Sequence, residues 1–118
     1  MAWLFGGQRN RLPAAVQRRI SREQLGVSPF VELELEYLYE IGRARSSARS
    51  VIDELGTRLE LAVVDISAAA ICSAALGLTW TRDPFDRLIA AHATVANLPL
   101  VTRDVTMLRY LPLAWWAD

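Results

Sequence analysis

The 118-residue chain has no lysine, one cysteine and one histidine, and each scarcity closes off chemistry. Without lysine, a phosphoacceptor aspartate lacks the basic neighbour that a small α/β signalling domain needs. The lone Cys72 cannot form an internal disulfide, so a reducing cytoplasm is the expected compartment. Its setting in the run Ala68-Ala69-Ala70-Ile71-Cys72-Ser73-Ala74-Ala75-Leu76 predicts a small buried side chain. His92 has no second histidine or cysteine at ligand spacing, which argues against zinc and for packing or a local hydrogen bond. No apolar run approaches a membrane span, and Ala2-Trp3-Leu4-Phe5 is too short for a secretory core. There is no Ser–His–acid order, no glycine-rich phosphate loop and no zinc-ribbon spacing. The formal charge is zero, which argues against a protein held to nucleic acid by charge alone.

What is present is apolar and alternating. The 53% hydrophobic content supplies a packed core, and the length suits one domain, residues 1–118. Every basic residue is arginine, a side chain suited to bidentate phosphate contacts. Residues 1–58 hold nine of them against seven acids; the remainder holds four against six. Arg9, Arg11, Arg18, Arg19 and Arg22 read first as a solvated helix surface and second as a contact for a polyanion or an acidic partner. Trp3, Trp80, Trp115 and Trp116 read as core or interface anchors before they read as base-stacking platforms.

Met1 to Phe5 reads as the tail of a helix stopped by Gly6-Gly7. Pro13 suits the first turn of a helix through about Ile20, and Gln24 to Val27 a short strand. Ser28-Pro29 opens a helix through Ile41, with Gly42 beyond its end. Arg45 to Leu55 reads as a helix closed by Gly56, and Leu59 to Val64 as a strand. Asp65 or Ser67 caps the next helix, which stops before Gly77. Asp83 to Ala96 is a helix with Pro84 in its first turn, Leu98 to Thr102 a buried strand, and Pro112 to Trp116 an edge strand. This alternation predicts an α/β fold with a short parallel sheet flanked by helices. Its usual first central strand is expected to be missing from this chain.

The carboxylates carry the chemistry. Asp83 precedes a helix and Asp104 follows a strand, on the rim where α/β proteins hold metals and phosphates. Asp83 and Asp104 also suit helix capping, and Asp86 could complete a capping box or favour the helix dipole. Arg87 could neutralise Asp86 or touch phosphate, and the Thr102 hydroxyl could orient a neighbouring carboxylate. Glu34 falls inside the apolar stripe of Val31, Leu35, Leu38 and Ile41, where a carboxylate needs a cation or a hydrogen-bond partner. Glu32, Glu36 and Glu40 form a separate ridge that reads as solvated.

Three segments resemble PIN-domain proteins, and among them the VapC-type toxins of bacterial toxin–antitoxin pairs. They are Val31-Glu32-Leu33-Glu34 through Gly42-Arg43, Asp83-Pro84-Phe85-Asp86-Arg87-Leu88-Ile89-Ala90-Ala91-His92-Ala93, and Leu98-Pro99-Leu100-Val101-Thr102-Arg103-Asp104. The resemblance implies a three-layer fold and a metal pocket built by Glu34, Asp86 and Asp104, with Asp83, Thr102 and Arg87 in support. It further implies Mg²⁺ or Mn²⁺, an RNA substrate, a cognate antitoxin, a homodimer and no membrane. Members of the family begin with a strand ending in an aspartate that is a main metal ligand. Here Ala2-Trp3-Leu4-Phe5-Gly6-Gly7 resembles the helix after that motif, so the aspartate is expected a few residues ahead of Met1. Two activities follow: a metal-dependent ribonuclease, or a catalytically impaired module that keeps antitoxin or RNA contacts.

Overall fold

The alternation of short apolar strands and helices is realised as a single parallel sheet. The structure, a computed structural model, describes residues 2–6, 14–20, 24–58 and 61–116. Strands β1 (Ala2–Phe5), β2 (Gln24–Val27), β3 (Leu61–Val63), β4 (Leu100–Val101) and β5 (Ala114–Trp115) lie in the order β3-β2-β1-β4-β5. Every adjacent pair is parallel. The helices are α1 (Ala14–Ile20), α2 (Pro29–Glu40), α3 (Ala48–Arg58), α4 (Ala68–Ala75), α5 (Pro84–Ala96) and α6 (Val105–Tyr110).

The start of the chain corrects the sequence reading. Ala2–Phe5 is a strand, not a helix tail, and it occupies the centre of the sheet that was expected to lack one. Four apolar residues carry no measurable period, so helix and strand cannot be told apart there from sequence. Pairing decides it: β1 aligns Phe5 with Val27 on one side and Val101 on the other, and Leu4 donates to the Pro99 carbonyl at 2.8 Å. Leu4 and Phe5 are buried among Leu25, Val27, Leu100 and Val101 in the main core. Gly6 follows immediately. A Cβ there would overlap the Val101 carbonyl oxygen, so this strand end has room for backbone only.

The order reverses direction between β1 and β4, the place where open α/β sheets leave a crevice at their carboxyl ends. Two helices bring carboxylates towards that edge. Helix α2 starts at Ser28, whose hydroxyl accepts from the Phe30 N–H at 3.2 Å, with Pro29 in the first turn. Val31 and Leu35 are fully packed, whereas Ile41 at the other end of the expected stripe is exposed. Gly42, with φ of 78°, turns the chain away. Helix α3 begins at Ala48, later than predicted, because the Glu36 carboxylate reaches across to accept the Ala48 N–H at 3.1 Å. Glu36 is therefore a tertiary helix cap rather than a member of a solvated ridge. Gly56 does not end α3, which continues to Arg58.

Ser67, not Asp65, caps α4 by accepting from the Ala70 N–H. Cys72 is exposed, contrary to the reading from its apolar neighbours. At 8 residues α4 buries only the Ile71 and Ala75 side against α5, and Cys72 falls on the outer side. Of the amino-terminal arginines, Arg18 and Arg19 lie exposed on α1; Arg9, Arg11 and Arg22 lie outside the described residues.

Candidate metal centre

Two tripeptides with the same sequence build the acidic rim. In Thr81-Arg82-Asp83 the Asp83 N–H donates to Thr81 Oγ1 at 3.2 Å, and Asp83 Oδ1 accepts from the Phe85 and Asp86 N–H groups at 2.8 and 3.2 Å. In Thr102-Arg103-Asp104 the Asp104 N–H donates to Thr102 Oγ1 at 3.0 Å, and Asp104 Oδ1 accepts from the Met107 N–H at 2.9 Å. Each threonine fixes the turn, and each aspartate then caps a helix, α5 in the first case and α6 in the second. Thr102 is fully buried beside the end of β1, where its Cβ approaches Gly6. Because Thr81 satisfies the Asp83 N–H, Asp86 does not close a capping box. Its carboxylate is left facing the site.

The structure brings Glu34, Asp83 and Asp86 together: one ligand atom from each lies within 4.8 Å of the others. Asp104 stands outside that group yet near enough to act on Asp86. The sequence had ranked Asp104 above Asp83; the geometry seats Asp83 in the group of three. The Asp86 carboxyl is pushed up to about 6, first by burial, then by the charges of Asp83 and Asp104, against a hydrogen bond from the Thr81 side chain. Arg87 does not point its Nε at Asp86. It donates to the Thr81 carbonyl at 2.8 Å, which clamps the turn. Hence Thr81 touches Asp83, Asp86 and Arg87, a role the sequence reading missed. The signal was present: the Thr-Arg-Asp repeat places it in the same relation as Thr102.

Glu34 and Asp86 sit on different helices, and a buried bond sets the two in register. His92 of α5 is fully buried and its Nδ1 lies 2.7 Å from the Ser28 hydroxyl at the α2 cap. Burial pushes the imidazole pKa down; the nearby Val64 carbonyl and Asp65 oppose that shift. Nε2 is buried with no hydrogen bond among the described residues, so the carbonyl does not reach bonding geometry with it. Neutral imidazole is the favoured form there. The expectation of a packed histidine matches this arrangement, while the hydrogen bond is a long-range one to the cap of another helix rather than one on its own helix face.

Three carboxylates on two helices form a hard, all-oxygen donor set, the kind that suits Mg²⁺ or Mn²⁺ over zinc. The raised pKa of Asp86 marks an electrostatic cost of its charged form, partly from Asp83 and Asp104, that a cation would remove. A parallel α/β sheet with this rim defines a class, and the sequence places the chain within it: residues 1–110 match the PIN domain family model, and the chain belongs to the PIN-domain family. Solved structures share the fold at low identity. VapBC2 from Rickettsia felis, bound to a DNA fragment from its promoter, matches with a TM-score of 0.70 and 21% identity over 100% of each chain. DNA-bound VapBC from Salmonella typhimurium gives 0.65 and 22%, and VapBC-1 from nontypeable Haemophilus influenzae 0.69 and 20%, each over 100% of this chain and 98% of the other. Among curated proteins, none matches the sequence. Among the described residues, no helix is long and apolar enough to cross a membrane.

Proposed function

We propose that this PIN-domain chain is a metal-dependent endoribonuclease, the toxin of a toxin–antitoxin pair acting in the cytoplasm. The observation that carries the reading is the convergence of Glu34, Asp83 and Asp86, with Asp104 close enough to raise the pKa of Asp86. Glu34, Asp83 and Asp86 would hold Mg²⁺ or Mn²⁺, and Asp104 would add negative potential or a further ligand through an ion or its water. A bound divalent ion would lower the pKa of water for attack on an RNA phosphodiester and offset charge on the leaving oxygen. Thr81 and Thr102 orient the turns that present Asp83 and Asp104, and Thr81 also holds Asp86. Arg87 locks the Thr81 turn. Solved relatives in VapBC assemblies support an antitoxin partner. The exposed row of Leu33 and Tyr37 on α2 and Ile41 at its C-cap supports a homodimer contact.

The test combines isothermal titration with Mn²⁺ and cleavage of a structured RNA such as bulk tRNA. Asp86→Asn should lower cleavage by more than about 100-fold, since losing only an outer partner of a metal ligand costs 10–100-fold. Normal cleavage by that variant would remove Asp86 from the site.

A second reading is favoured by Gly6. The central strand ends there with no carboxylate, and the Val101 carbonyl leaves no room for one. On that reading the chain binds antitoxin or RNA and cleaves poorly. Tight RNA binding with no Mn²⁺-dependent product would select it.

A further inference from the structure

The acidic rim has an unassigned basic and aromatic border. Four arginines occur after residue 58, and Arg87 is turned inward to the Thr81 carbonyl. Arg103 and Arg109 are exposed, and neither is paired with a carboxylate among the described residues. Each guanidinium instead lies over a ring. Arg103 is 5.7 Å from the Trp116 centroid and Arg109 is 5.3 Å from that of Tyr110. Tyr110 is stacked on Trp80, with centroids 5.8 Å apart and planes inclined by 14°.

Topology puts these groups beside the carboxylates. Val101 pairs with Trp115 across the parallel strands β4 and β5, so Arg103 and Trp116 both lie just past the carboxyl edge of the sheet. Arg103 adjoins Asp104, and Trp80 adjoins the Thr81 turn that presents Asp83 and Asp86. Helix α6, capped by Asp104, connects the two arginines.

We propose that Arg103 on Trp116 and Arg109 on Tyr110 form a track that holds the phosphates of single-stranded RNA next to the carboxylates; this rests on the nuclease reading above. An aromatic shelf fixes the plane of a guanidinium and leaves its N–H edge free for a bidentate phosphate contact. Its outer face can take an unpaired base. A polyanion approaching several carboxylates is repelled unless cations lie within about 8 Å, the screening length at physiological salt. The chain's net charge of zero supplies no general attraction, so local cations such as Arg103, next to Asp104 in the chain, and Arg109, on the helix that Asp104 caps, are needed for that role. An acidic protein segment could also pair with arginine, but it gains nothing from adjacency to a carboxylate cluster, whereas a phosphodiester must reach it.

The experiment is fluorescence anisotropy with a labelled single-stranded RNA in EDTA across a salt series, so binding is read without cleavage. The double variant Arg103→Gln, Arg109→Gln should reduce the log–log salt slope by about 1.4, since each single-strand phosphate contact contributes about 0.7. Arg49→Gln, an exposed arginine of α3, should leave the slope unchanged. An unchanged slope in the double variant, an equal loss in Arg49→Gln, no RNA binding by the parent, or tighter binding to duplex DNA would each overturn the track. Arginine-dependent binding with no cleavage in Mn²⁺ would sink the nuclease reading and leave the track standing.

Discussion

At the residue scale, the half-buried Asp86 and the buried His92 pull stability in opposite directions with pH. The Asp86 carboxyl is raised from 3.8 to about 6, so the folded chain takes up a proton more readily than the unfolded one between those values. Its contribution is present at low pH and is lost as pH rises through about 6. Asp86→Asn should therefore raise the melting temperature of the metal-free protein at pH 7, measured by circular dichroism, while abolishing the stabilisation by Mn²⁺ that the proposed site would give. His92 has the opposite sign. Its folded pKa lies below 6.5, so its contribution is present above that value and fades as pH falls below it. Ser28→Ala removes the α2 cap and leaves His92 Nδ1 without its partner. The expected loss is about 1 kcal/mol for the cap and about 1–3 kcal/mol for the orphaned nitrogen, read by urea unfolding. A loss under about 0.5 kcal/mol would show that the cap and the histidine bond carry no stability.

At the element scale, β1 governs how the switch point is built. Gly6→Ala would force a methyl group against the Val101 carbonyl and spread β1 from β4. Overpacking of this kind costs about 1–3 kcal/mol. Equilibrium unfolding measures it, and an alanine variant as stable as the parent would contradict the close approach. Much of the element order was legible. The caps at Ser28, Asp83 and Asp104 and the turn at Gly42 are local signals, set by backbone hydrogen bonding within a few residues. The start of α3 was not, because Glu36 supplies its first hydrogen bond from another helix. Nor was β1, whose strand character comes from the neighbours it pairs with.

At the scale of the whole molecule, the proposed metal reading ties cation binding, protons and folding together at the acidic rim. A cation that binds only the folded chain stabilises it by about 2.7 kcal/mol at a hundred times its Kd. Because Asp86 must lose its proton to be a ligand, Mn²⁺ affinity should fall by about tenfold per pH unit below about 6 and level off above it. Calorimetry at several pH values checks this, and an affinity flat from pH 5 to 7 would exclude Asp86 as a ligand.

The sequence by itself determined the α/β class, the caps of α2, α5 and α6 and the identity of the acids near the rim. These follow from apolar period and from bonds a few residues long. Tertiary structure alone decided that Asp83 joins Glu34 and Asp86, with a ligand atom of each within 4.8 Å of the others, while Asp104 stands outside that group, and that Thr81 binds into the same turn. Distances between side chains on separate helices depend on how those helices pack, and a buried contact such as Ser28 with His92, 64 residues apart, leaves no periodic trace in the chain.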